Sequence, residues 1–276
     1  MTLLNLNTLR CISKFIKLLI FLLFVNHIFS IASYAAHPLI TDDTGTQGKG
    51  KFLFEFSGQA SYDRERLVDD TGASVTTKNR ESEIKASVTY GLIENIDVIF
   101  GVPYQWKKEK VNDAVSSDVN GIADLSLEVK WRFYEIDGLS FALKPGLTIP
   151  AGDRDKELGT GRVTGTVYFI ATKDMNPLAF HFNLGYKRNE NQLEQREDIW
   201  HASIAGEYKV IQNLKLVSDI GAERNPDPSS NNNPTFILGG FIYSVKENLD
   251  IDFGVKIGLN HTEQDVVYLG GIAIRF

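Results

Sequence analysis

The chain has one cysteine, two methionines and eight prolines in 276 residues. A single cysteine, Cys11, excludes an intrachain disulfide and a thiolate metal site. No HxH or HxxxH spacing links the histidines, so no metal-ligand pair stands out. After residue 35 no apolar run approaches the ~20 residues of a membrane helix, which excludes a helical bundle. The formal charge of −6 carries no basic run suited to nucleic acid.

The one long apolar stretch is N-terminal. Arg10, Lys14 and Lys17 precede the run from Leu18 to Ile31, and Ser33-Tyr34-Ala35 offers small residues at signal-peptidase spacing. Residues 1–35 therefore read as a cleaved secretory signal, an uncleaved anchor helix being the other reading. Losing those three bases takes the charge from −6 to −9.

From residue 50 on, period-two alternation recurs, the mark of strands with two unlike faces. In 121–134, Ala123, Leu125, Leu127, Val129, Trp131 and Phe133 alternate with Asp124, Ser126, Glu128, Lys130 and Arg132. Residues 249–260 set Leu249, Ile251, Phe253 and Val255 against Asp250, Asp252, Gly254 and Lys256. Continued along the chain, the pattern predicts about twelve strands, near 51–62, 80–92, 96–106, 121–134, 139–150, 161–172, 178–188, 198–210, 214–224, 235–245, 249–261 and 266–276. Connections after even strands are short. Those after odd strands, such as 63–79, 107–120, 151–160 and 225–234, are mostly long and polar.

Short turns on one rim and long loops on the other predict an all-β protein, a transmembrane antiparallel up-and-down β-barrel. A soluble barrel would have to pack the whole apolar set inside one closed wall with no second layer to fill it. Tyr62, Trp106, Tyr186 and Trp200 near the long loops, and Trp131, Phe133, Tyr208 and Tyr243 near the short turns, fit two aromatic girdles.

The terminal strand with Gly271, Ile274 and Phe276 resembles the signal read by the barrel assembly machinery of the bacterial outer membrane. Outer-membrane lipids and that machinery are thus expected partners. The oligomeric state is left open.

No motif points to an enzyme or to a cofactor. His201 and Ser203 share a face, but no acidic or amide partner stands out, so they read as a polar pair. The inward face is the informative one. Glu128, Lys130, Arg132, Lys144, Arg162, Asp219, Asp252 and Lys256 are expected to line the lumen, as a solute path or as structural ion pairs. Twelve strands at ~4.8 Å spacing and ~40° tilt enclose a backbone cylinder ~24 Å across. Residues 36–50 form a polar lead-in to the barrel at 51–276. They read either as a flexible tether or as a lumenal plug using His37, Asp42 and Asp43, long enough when extended to span the barrel's height.

The opening His37-Pro38-Leu39-Ile40-Thr41-Asp42-Asp43-Thr44-Gly45-Thr46-Gln47-Gly48 resembles that of a family of outer-membrane transporters labelled for a meta-pathway of phenol degradation. Ile149-Pro150-Ala151-Gly152-Asp153-Arg154 and Leu158-Gly159-Thr160-Gly161 resemble its mid-chain signature. The resemblance implies a barrel and small-molecule passage. The expected function is a passive outer-membrane channel for small, aromatic or amphipathic solutes. The alternative is a closed structural or adhesive barrel whose loops bind ligands, and an outer-membrane hydrolase is a third, weaker class.

Overall fold

The computed structural model describes residues 37–68 and 74–276. Residues 1–36, which include Cys11 and the stretch read as a secretory signal, lie outside the described residues. Thirteen strand segments follow in order: β1 (Phe52–Val68), β2 (Ser74–Ile93), β3 (Ile96–Val111), β4 (Ala114–Ile122), β5 (Leu125–Ile136), β6 (Leu139–Ile149), β7 (Thr164–Met175), β8 (Leu178–Arg188), β9 (Asp198–Ile211), β10 (Leu214–Glu223), β11 (Thr235–Lys246), β12 (Leu249–Gly258) and β13 (Val266–Arg275). Consecutive segments pair antiparallel, except β4 with β5, and β1 pairs with β13 to close the ring. The closing seam runs down to Phe276, whose amide and carbonyl bond Phe52 at 2.9 and 3.1 Å. β4 and β5 together occupy one position, because β3 pairs β5 along its first half and β4 along its second. The protein is a closed, antiparallel, twelve-position transmembrane β-barrel.

Polarity is inverted relative to a soluble protein. On β8, Phe182 and Leu184 are 41% and 52% exposed, while the alternating His181 and Asn183 are 1% and 2% exposed. The exposed side chains form a continuous apolar coat, including Phe54, Phe56, Ile204, Ile220, Phe253 and Ile272. Lipid accommodates these side chains, and ring closure pairs the backbone. Two-residue turns at 94–95, 137–138, 176–177, 212–213 and 247–248 mark one rim. Asp137 and Gly138 carry positive φ there, as a tight hairpin requires.

The structure departs from the sequence expectation at the opposite rim. Residues 63–79 and 107–120, read as loops, are mostly strand: β1–β2 pairing runs to Val68↔Ser74, and β3–β4 pairing to Val111↔Ala114. Above the bilayer both faces are wet, so the strands continue without hydrophobic alternation. The strand expected at 161–172, the sixth in that series, begins at Thr164 as β7. Ala123, expected toward lipid, is 4% exposed at the break between β4 and β5, where its amide donates to Pro103 O at 3.0 Å.

Ile220 lies six residues beyond Leu214, near mid-membrane, and is 44% exposed. Ile220→Arg is expected to cost about 2–4 kcal/mol in reversible unfolding from lipid vesicles. Leu127→Arg, nine residues from the turn-proximal end of β5 and so close to the outer interface, is expected to cost about 0–1 kcal/mol. Equal costs at the two depths would contradict this membrane placement.

Candidate functional site

The lumen is occupied by residues 37–50. Gly50 and Gly48 sit at the short-turn rim, where Gly50 N donates to Gly91 O at 2.7 Å. A Cβ at Gly91 would lie 1.8 Å from Gly48 O, so that position on the wall has room for glycine alone. Moving back along the chain, Gln47 N reaches Asp97 Oδ2 (2.9 Å) and Thr46 Oγ1 reaches Glu94 O (2.9 Å), both near the same rim. The backbone then rises. Ile40 and Thr41 amides donate to Asp219 Oδ2 at 2.8 Å each, and Thr41 Oγ1 lies 2.7 Å from both Asp219 Oδ1 and Ser203 Oγ. It descends again to His37, whose Nδ1 is 2.7 Å from Asp252 Oδ1.

The segment is therefore an arch with both described ends toward the short-turn side. It does not span the barrel's height as an extended chain would. Asp219 stands five residues up β10 and Lys130 six residues up β5. At ~3.3 Å per residue and ~40° tilt, the apex stands about 14 Å above the rim, near mid-membrane.

Asp42 is the apex. Its two carboxylate oxygens bond Lys130 Nζ and Lys144 Nζ, each at 2.7 Å. Its backbone is clasped by the Asn183 amide, which donates to Asp42 O at 2.9 Å and accepts from Asp42 N at 2.7 Å. Asp43 lies beside it, 1% exposed, with Oδ1 accepting from Gly45 N (2.8 Å) and standing 3.6 Å from Lys130. Thr44 Oγ1 meets Ser140 Oγ at 2.5 Å. A low-exposure ion pair is stable only when each partner is fully satisfied, and Asp42 meets that condition with two ammonium groups.

The arch also makes an apolar contact, on the long-loop side of its apex. Leu39 packs on Phe236, Leu238, Val267 and Leu269, inward-facing residues of β11 and β13. Pro38 lies against Gly240 and Gly254, where a Cβ would stand 3.1 and 2.8 Å from it. This explains why both faces of 235–245 are apolar: one meets lipid and the other meets the arch. A Cβ on Gly271 would stand 2.6 Å from Asp252 Oδ2 and 3.0 Å from His37 Nδ1.

Of the other expected lumen residues, Glu128 stands 3.8 Å from Lys144. Arg132 pairs with Glu135 at the short-turn rim, and Lys256 with Glu263 in the last outer loop. Arg162 is not on the wall. It lies in the loop before β7, 3.8 Å from Glu190, because positive-φ Gly161 and the Thr160 Oγ1–Arg162 O bond turn the chain first. Ile274 pairs with Phe54 and Leu249 on the lipid-facing side of the seam, and Phe276 sets its ring edge-on to Phe54 at 5.6 Å.

Two features escaped sequence reading. Asp124, taken for a wall residue, accepts from the Ala151, Gly152 and Thr160 amides (3.1, 3.0 and 2.8 Å) and from Thr160 Oγ1 (2.9 Å), which ties loop 150–163 to the β4–β5 break. The His201–Ser203 pair does have an acidic neighbour. His201 Nε2 is 3.0 Å from Ser203 Oγ, and its Nδ1 is 3.7 Å from Glu223. Thr41 covers Ser203, so the hydroxyl serves the arch contact rather than an open cleft.

Fold and lumen together define an outer-membrane-type β-barrel with an occupied pore. The chain belongs to the family described as "Putative MetA-pathway of phenol degradation", whose model matches residues 41–276. No curated protein matches it. Among solved structures, an outer membrane channel from Pseudomonas putida F1 is similar at 13% identity and TM-score 0.62, over 90% of this chain and 100% of that one. The NanC porin is similar at 10% identity and TM-score 0.51, over 80% and 98%. A deletion mutant of the TodX monoaromatic hydrocarbon channel is similar at 9% and 0.52, over 85% and 92%.

Asp42→Asn is expected to leave Lys130 and Lys144 facing one another and to weaken arch docking by about 1–3 kcal/mol, less than for a dry pair because the lumen is partly hydrated. Hydrogen exchange at the Ile40, Thr41 and Gly45 amides should accelerate about tenfold or more while strand amides stay protected. Unchanged protection of those three amides would remove Asp42 as the anchor.

Proposed function

We propose that the protein is a passive channel of the bacterial outer membrane for small, aromatic or amphipathic solutes, with residues 37–50 as its plug. The arch carries this reading. It crosses the lumen at mid-height, it is held by polar bonds that water can replace, and its Leu39 covers an apolar patch of Phe236, Leu238, Val267 and Leu269. Toward the long-loop end, a small polar cavity is lined by Gln59, Ser61, Glu83, Gln105, Lys107 and Gln264. A solute with an apolar face would compete with Leu39 for the patch, and its arrival would free the arch. Glu128, Lys130, Lys144, Asp219 and Asp252 then line the path. That some barrels of this fold are described as monoaromatic hydrocarbon channels supplies a solute class to test first.

A second reading, a permanently closed barrel acting through its loops, draws support from the loops' own bonding. Asp124 ties loop 150–163, and Arg196 spans to Pro228 O and Ser230 O at 2.9 and 3.0 Å. Deleting residues 37–48 separates the two. The channel reading expects single-channel conductance in planar bilayers to rise several-fold and toluene-class solutes to cross vesicles faster. Unchanged conductance with unchanged barrel yield would favour the closed barrel.

Assembly is read from the other end of the chain. We infer that Gly271, Ile274 and Phe276 present the last strand to the assembly machinery, after cleavage of the 1–35 signal. Phe276→Ala keeps the backbone bonds to Phe52 and loses only the edge-on contact with Phe54, so the folded barrel should be destabilised by no more than about 0.5–1.5 kcal/mol. Heat-modifiable barrel in the outer membrane should nonetheless fall several-fold. Wild-type yield would leave Phe276 as a packing residue only.

A further inference from the structure

Beyond the last β1–β13 pair, Tyr62↔Val266, the first four strands continue as a sheet that projects above the barrel. Cross-strand partners in that sheet share a face. One row reads Tyr62, Arg80, Lys108 and Asp118, the next Arg64, Lys78 and Lys110, and the next Arg66 and Thr76. These rows continue the parity of Phe54, Val88 and Phe100 below, which is the lipid-facing side. The opposite face carries Asp63, Glu65, Glu81 and Glu109 with a single base, Lys107. A surface that was merely solvated would mix signs; this one sorts them by face.

The sorting has an electrostatic cost. Arg64 stands opposite Lys78, Lys78 opposite Lys110, and Arg80 opposite Lys108. Like charges directly opposite one another destabilise a sheet. Internal acids offset part of this: Lys78 binds Asp113 at 2.5 Å, and Lys108 binds Asp118. Arg64, Arg66 and Arg80 remain exposed. Elsewhere on the outer rim Arg188 is surrounded by its own carboxylates, Glu190, Glu197 and Asp198. The outward rows of the β1–β4 sheet thus bring six cations together in one cluster.

Its depth identifies the ligand. Tyr62 shares the cluster's first row and Tyr104 and Trp106 lie beneath it on the same face, with the Tyr104 and Trp106 rings 4.6 Å apart and the Arg80 guanidinium 5.8 Å from the centre of the Tyr62 ring. Aromatic rings of this kind mark the membrane interface. Arg64 and Arg66 are two and four residues further along β1, about 5–10 Å beyond that interface. That is where the phosphates of membrane lipids lie. We propose that the outward face of the β1–β4 sheet, through Arg64, Arg66, Lys78, Arg80, Lys108 and Lys110, is a binding site for a phosphorylated glycolipid of the outer leaflet. Its phosphates bridge the opposed cations, and its acyl chains lie on the apolar coat below. Guanidinium groups suit this role because they bind phosphate through paired N–H donors.

The site rests on the long-loop rim facing outward and does not depend on the channel reading. The test is native mass spectrometry of the intact barrel released from detergent, incubated with diphosphoryl lipid A or with its dephosphorylated form. Wild-type protein is expected to retain the diphosphoryl lipid about tenfold or more above the dephosphorylated one. The variant Arg64→Gln/Arg66→Gln/Arg80→Gln/Lys110→Gln should lose that preference, and Arg188→Gln/Arg224→Gln should keep it. Equal retention of the two lipids by wild-type protein overturns the proposal without any variant. So does a quadruple variant that keeps the preference. Conductance plays no part in the readout, so failure here and failure of the channel proposal are separate results.

Discussion

Closure of the β1–β13 seam is the constraint from which the other features follow. In hydrocarbon no water is available to satisfy a strand edge, so the ring must pair its first strand with its last. Ten consecutive partners from Leu53↔Arg275 to Tyr62↔Val266 do this, finished by the Phe52–Phe276 bonds. With the edges joined, one face of every strand meets lipid and the other meets an enclosed space too narrow for a second layer. The alternating residues on that inner face are then polar and close together. Asp250 with Arg275 (2.7 Å) and Glu207 with Lys215 (3.1 Å) are wall pairs produced by this crowding.

The arch uses what the wall leaves over. Lys130 and Lys144 lie side by side on adjacent strands and would repel without a shared anion. Asp42 supplies one. Asp219 is buried with no cation bonded to it among the described residues, and it is satisfied instead by two amides and a hydroxyl from the arch. Wall and arch are complementary by charge and by shape, since Gly91, Gly240, Gly254 and Gly271 clear the space that Gly48, Pro38 and His37 fill. Each polar bond has a water-bonded alternative, so such a contact can be specific and still open.

The fold was largely legible in the sequence because a bilayer imposes a strict period of two, as in Leu249, Ile251 and Phe253 against Asp250 and Asp252. Legibility ended where the bilayer ends. Residues 63–68 and 107–120 lie in water on both faces, so no apolar alternation marked them as strand. Asp42 and Asp43 could be suspected from their place ahead of the first strand, but the arch's return to the rim depends on glycines scattered over four strands. Their common inward parity was the overlooked signal. Asp124 looked like any inward acid. Only the folded loop shows its carboxylate collecting three amides and a hydroxyl.

In the proposed channel, the arch closes the lumen by its contact with the wall. Thr41 Oγ1 and Ser203 Oγ are 2.7 Å apart, close enough for a disulfide between cysteines placed at those positions. The direct measurement is the conductance of the Thr41→Cys/Ser203→Cys barrel in planar bilayers, first oxidised and then reduced in the same membrane. The account predicts that oxidised pores stay shut when a small apolar solute is added and that reduction restores solute-dependent opening. Equal conductance in the two states, with the cross-link verified by mass spectrometry, would contradict it.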